Sequence, residues 1–210
     1  PLDPYRGELK ALTGITLGDL DRVWSERRNG GERGERRSFR DEVVVVLAGL
    51  VAGLRKRGET QAFVTLEDGH GKLEAAFFSE AFTEYASLMT RDRILLVEGG
   101  LREDEFSGGF SLRARRCWDF EALCAEHGRR LDLKLDLRQP GVLARLEPLL
   151  APCRGGRTPL RLDLTTATAR GLLDLNGSGS LRVAPDLLGQ LRAVPGVDGV
   201  NLVMSRPWAN

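Results

Sequence analysis

DEVVVVLAGLVAGLRKRGETQAFVTLEDGHGKLEAAFFSEAFTEYASLMTRDRILLVEGGLREDEFSGGFSLRARRCWDF, residues 41–120, is the stretch that decides the fold. Dense β-branched residues predict a long first strand over 43–57, and Gly49 and Gly53 within it predict bulges or a sharp corner. Residues 61–68 alternate with period two, so Ala62, Val64 and Leu66 share one face and Gln61, Phe63 and Thr65 the other. Asp68, Gly69, His70 and Gly71 supply a hairpin turn into a third strand, 72–78. There Leu73, Ala75 and Phe77 oppose Lys72, Glu74, Ala76 and Phe78; for both strands the pattern leaves open which face is the core. Ser79 is placed to cap a helix over 80–90, whose Phe82, Tyr85 and Met89 stripe would plug the open end of a barrel. Strands at 93–101 and 110–118, joined by the loop 102–109, complete the set.

Three strands, one helix and two strands is the order of an all-β OB barrel, a five-stranded Greek key. Such barrels bind single-stranded nucleic acid with strands 2 and 3 and two bordering loops. The candidate contacts follow from that surface. Arg55, Lys56 and Arg57 sit at the turn after strand 1, Phe106 sits in the second loop, and Arg113 and Arg115 are two apart on strand 5. Lys72 and Phe63 belong to the strand 2–3 surface. Arg and Lys would meet phosphates, and Phe63 and Phe106 would stack on bases, each stack worth about 1–3 kcal/mol. Glu103, Asp104 and Glu105 oppose phosphate at the second loop.

Outside this core the pattern is weaker. Leu9, Leu12 and Tyr5 share a helical face that Gly14 stops, and 15–20 reads as a short connector. Residues 22–40 hold seven Arg, three Glu and three Gly with almost no apolar content, which predicts a mobile loop. After Phe120 come a connecting helix (121–130), a strand (131–137) and a helix (141–153). Strands at 159–166, 169–175 and 180–184, a helix starting at Pro185 and a last strand at 199–205 follow. That succession predicts a small α+β domain with one antiparallel sheet. The layout is thus 1–40 helix and Arg-rich loop, 41–120 barrel, 121–130 connector and 131–210 α+β domain.

Composition excludes little. Among 210 residues, 31 Lys and Arg balance 30 Asp and Glu, so nucleic-acid binding must rest on local patches rather than bulk charge. Three scattered cysteines suit a reducing cytoplasm, and no membrane-spanning run or signal peptide is visible. A first residue Pro1 in place of Met leads us to expect a piece of something longer. No catalytic motif is found, and Cys124 with His127 makes only two metal ligands. No catalytic residue, metal site or cofactor is therefore expected in this stretch.

Several motifs together carry a resemblance: KRG (56–58), TLED (65–68) with GKLE (71–74), DRILLVEG (92–99), DEFSGG (104–109), PLRLDL (159–164) and LRVAPDLL (181–188). With PLDPY at 1–5, they make the chain similar to the C-terminal region of the bacterial replicative DNA polymerase III alpha subunit, a C-family polymerase. The resemblance implies that the barrel contacts single-stranded template DNA. It also implies that the α+β domain docks the tau subunit of the clamp loader through the tail 200–210, with Val200, Leu202, Val203, Met204 and Trp208 as contacts. For Leu202, Val203 and Met204 the competing reading is a last core strand with a frayed end. The resemblance places this stretch outside the catalytic region of a cytoplasmic nucleotidyltransferase within the replisome, joined to the rest of that subunit. The Arg-rich loop is longer than the family's, so nothing carries over to it. Two other readings compete: a pure protein-interaction module without DNA binding, and an anticodon-type RNA-binding OB domain.

Overall fold

A computed structural model of the chain describes residues 2–30, 42–104 and 108–209. Two compact units form, one comprising Thr13–Asp119 and the other Asp3–Leu12 together with the chain from Phe120 onward. Helix α1, Arg6–Thr13, buries Leu9 and Leu12 and stops at Gly14, whose φ of +76° is the left-handed conformation that glycine adopts freely.

A turn at Leu17–Asp19 leads into α2, Leu20–Gly30. The sequence predicts a mobile loop from residue 22; residues 22–30 are helical instead, and 31–40 lie outside the described residues. The apolar residues in this segment are few but well spaced. Leu17 and Leu20 are buried in the barrel core, and Val23 and Trp24 pack against it. Three- and four-residue spacing gives a helix one apolar stripe whatever the charge of its other faces.

The barrel strands are β1 (Val43–Arg57), β2 (Gln61–Glu67), β3 (Lys72–Phe78), β4 (Ile94–Asp104) and β5 (Gly109–Asp119). They close in the order β1-β2-β3-β5-β4, as an OB barrel requires. β1 serves two partners, pairing with β4 through Leu50 and with β2 from Leu50 onward. The bend sits where the glycines predict it. A register shift falls between Val51 and Gly53, and a Cβ on Gly49 would stand 2.8 Å from the Leu66 Cβ. The core takes Ala62, Val64 and Leu66 from β2 and Leu73, Ala75 and Phe77 from β3. Phe63, Lys72 and Glu74 therefore face outward.

Helix α3, Ser79–Tyr85, and a turn at Ala86–Leu88 follow β3, with Met89 buried and Phe82 and Tyr85 packed on the core. Ser79 does not cap it; the capping position is Phe78, with no side-chain bond, and Ser79 lies inside the helix at φ +44°. The other end of the barrel, by the hairpin after β2, is closed by the Leu17 turn: Leu17 N–H donates to Asp68 Oδ2 at 2.7 Å.

The second unit holds α4 (Phe120–His127), β6 (Gly128–Asp136), α5 (Val142–Leu150), β7 (Arg154–Thr158), β8 (Leu160–Thr165), β9 (Arg170–Leu175), α6 (Pro185–Arg192) and β10 (Val197–Met204). Its sheet runs β10-β6-β8-β9. The sheet is mixed, not antiparallel throughout, because β6 and β8 are parallel. The long connection through α5 and β7 returns the chain to its starting end, the condition for parallel neighbours. Residues 180–184 form no strand; Leu181 makes only single bridges to Arg154 and Thr158. β7 was hidden by its own glycines, which read as a helix stop. A Cβ on Gly156 would collide with the Leu181 backbone, so that close approach needs glycine. α1 belongs to this unit. Arg192 bonds the Glu8 carboxylate and the Pro4 carbonyl, and Arg206 donates to Ala11 O at 2.6 Å.

Candidate nucleic-acid interface

The outward faces of β1, β2, β3 and β5 meet in one register. Arg55 lies opposite Phe63, Phe63 opposite Ala76, and Ala76 opposite Arg113. Alternation puts all four side chains on the outer surface of the barrel. The next row toward α3 brings Arg57, Gln61 and Phe78 together. The result is a patch of cations beside aromatic rings on the strand 2–3 face.

Arg55 holds its guanidinium carbon 4.6 Å from the Phe63 ring centroid and donates from Nη2 to Glu74 Oε2 at 3.2 Å. Phe63 meets Phe78 edge to face, 6.1 Å between centroids and 89° between planes. Lys72 pairs with Glu67 at 3.1 Å. Arg57 and Arg113 are exposed, and neither has an ion partner among the described residues. A cation already neutralised must break a pair to reach a phosphate, whereas Arg57 and Arg113 need not.

Two predicted contacts move away from this patch. Lys56 pairs with the fully buried Ala62, so alternation turns it to the opposite side from Arg55 and Arg57. Arg115 falls in a bulge, since Glu98 pairs with Arg116 and Gly99 with Ala114. It donates to Glu42 at 2.6 Å, and Arg102 bonds the same carboxylate. Burial raises the Glu42 carboxyl, but its bonds to Arg115 and Arg102 outweigh that and hold it below the usual carboxylate range. Phe106 lies outside the described residues.

Phe78 and Glu74 are members of the patch that the sequence did not single out. Phe78 stands at the strand end, and only the register shows it beside Phe63. Near the start of β5, Trp24 of α2 donates from Nε1 to Glu103 at 2.8 Å and meets Phe110 edge-on at 5.8 Å, both rings packing against the barrel core. Helix α2 thus packs beside the start of the β4–β5 loop.

The tail residues split by face. Leu202 is buried at 3% exposure and serves the core, so it is unavailable to a partner. Val200 and Met204 share its side of β10 and are half-buried; Val203 points the other way at 37% exposure. Trp208 is half-buried. No group of three or more His, Cys, Asp or Glu is placed to hold a metal among the described residues. Cys124 is buried, and burial pushes the Cys117 thiol up to about 12.

Residues 45–119 match the family model described as an OB-fold nucleic acid binding domain. The DNA polymerase III subunit alpha of Xylella fastidiosa (strain Temecula1) is 45% identical over 99% of this chain, and that of Pseudomonas aeruginosa is 35% identical over 96%. The Escherichia coli K12 subunit is also 35% identical over 96%. This chain is homologous to a segment of DNA polymerase III subunit alpha. It spans only 18%, 16% and 17% of those three relatives' own lengths. Among solved structures, asparaginyl-tRNA synthetase from Pyrococcus horikoshii matches 38% of this chain and 20% of its own at 26% identity, with a TM-score of 0.34. The matched domain holds every residue of the Arg55, Phe63, Ala76 and Arg113 row. No helix in the described residues is long and apolar enough to cross a membrane.

Proposed function

We propose that this alpha-subunit segment is a non-catalytic accessory to a DNA-directed DNA polymerase. Its barrel binds single-stranded template DNA along the β2–β3 face, and its second unit binds the tau subunit of the clamp loader in the bacterial cytoplasm. The observation that carries the first part is the register row Arg55, Phe63, Ala76 and Arg113, with Arg57 in the row beside it. It sets guanidinium groups on either side of an aromatic ring, the combination that tracks a phosphate backbone while stacking a base. Phosphates would meet Arg57 and Arg113 first.

One observation favours the reading as a protein-interaction module. The Arg55–Glu74 and Lys72–Glu67 pairs neutralise two cations on the same face. Anisotropy titration of single-stranded and duplex oligonucleotides at two salt concentrations separates the readings. On the DNA reading the single strand binds more tightly. The Arg57→Ala/Arg113→Ala variant then lowers the slope of log affinity against log salt by about 0.7 per lost phosphate contact. An unchanged slope assigns the face to protein partners.

A further inference from the structure

We propose that Arg55 is a displaceable cap on the Phe63 stacking surface, held in place by Glu74. The proposal rests on the single-strand reading above and concerns how that site opens. Three neighbouring strands contribute. Arg55 leaves β1 opposite Phe63 of β2, lays its guanidinium carbon 4.6 Å from the ring centroid, and reaches past it to Glu74 of β3 at 3.2 Å. The arginine therefore spans β2 and occupies ring surface that a nucleobase would use. A guanidinium is planar and stacks on aromatic faces, so it covers a ring much as a base would.

The second aromatic residue limits what the site takes. Phe78 meets Phe63 at 89°. Perpendicular rings cannot join one column of parallel bases, so the pair seats a single base on Phe63 with Phe78 as its buttress. The clasp is also weak enough to yield. Arg55 and Glu74 side chains are 66% and 46% exposed, the range in which ion pairs contribute little. On binding, a base replaces the guanidinium on Phe63, Arg55 turns to a phosphate, and the Glu74 carboxylate is left in water. Glu74 thus holds affinity down.

Removing any carboxylate from this face also reduces repulsion of phosphate. Glu67 is the control: it faces the same way on β2 and pairs with Lys72, not Arg55. The experiment is an anisotropy titration of labelled oligo-dT with the full chain as wild type, Glu74→Gln, Glu67→Gln, Phe63→Leu and Phe63→Leu/Glu74→Gln. Glu74→Gln should bind about two- to fivefold more tightly than wild type, the scale of an exposed ion pair, and Glu67→Gln should gain less. The excess should vanish in the Phe63→Leu background, and an oligonucleotide carrying 2-aminopurine should be quenched more strongly by Glu74→Gln than by Glu67→Gln. Equal gains for the two glutamates, or an excess that survives Phe63→Leu, overturn the cap and leave the single-strand reading standing. Absence of binding by every variant overturns both.

Discussion

Single residues on this chain are decided by which side of a strand they occupy. Ala62, Val64 and Leu66 are fully buried while Phe63 between them looks outward, a choice that period-two alternation poses and cannot make. The barrel makes it, because its interior needs a continuous apolar lining and the Phe63 face carries Arg55 and Glu74. Lys56 shows the same rule against expectation: adjacent in sequence to two arginines of the patch, it faces the other way. Arg115 shows the exception, since one inserted residue in β5 displaces it toward Glu42. Bulges of this kind leave no mark in composition.

Asp19 supports a prediction at this scale. The Thr16 backbone N–H, then the Thr16 hydroxyl and Arg22, bond its carboxylate and hold it at about 2, below the ordinary 3.8. A depressed carboxyl stabilises the fold above its unfolded value and loses that contribution as pH falls through its folded value. The Asp19 contribution is therefore complete at neutral pH and disappears between about pH 4 and pH 2. Asp19→Asn should lower the urea midpoint at pH 7 and make it less pH-dependent across that acid window. A midpoint as pH-dependent as wild type would show that the turn before α2 contributes nothing to folding.

At the scale of elements, the sequence was most legible where one period ran uninterrupted. β1 is found at 43–57 with its bend in place, and the barrel order follows. α2 is hard to read because only three apolar residues, Leu20, Val23 and Trp24, lie among its charged ones, so composition outweighs their spacing. β7 was missed because glycine signals a turn and a close backbone approach alike. The parallel β6–β8 pair was hidden because direction depends on the length of the connection, not on the strands themselves. β10 tests the tau proposal. It forms one edge of the sheet, with Leu202 in the core and Val203 exposed. Deleting 200–210 would remove a core strand, so the point variant Val203→Asp is the sharper probe. It should weaken tau capture at least tenfold with little change in Tm, because charge on an apolar contact costs binding and an exposed position tolerates it. Full-strength capture would place the tau contact away from this face.

Over the whole chain, identity to DNA polymerase III alpha subunits runs through both units, while the nucleic-acid-binding family match is confined to 45–119. The candidate patch is partly legible: the sequence points to Arg55, Arg57, Phe63 and Arg113, whereas Phe78 and the Glu74 clasp require the register. The central claim is that the outer β2–β3 face takes the single strand. Amide chemical-shift mapping during titration with oligo-dT tests it directly. Perturbations should concentrate on Arg57, Gln61, Phe63, Ala76, Phe78 and Arg113 and spare the β10 edge. Shifts confined to the second unit, or none at saturating oligonucleotide, would contradict it.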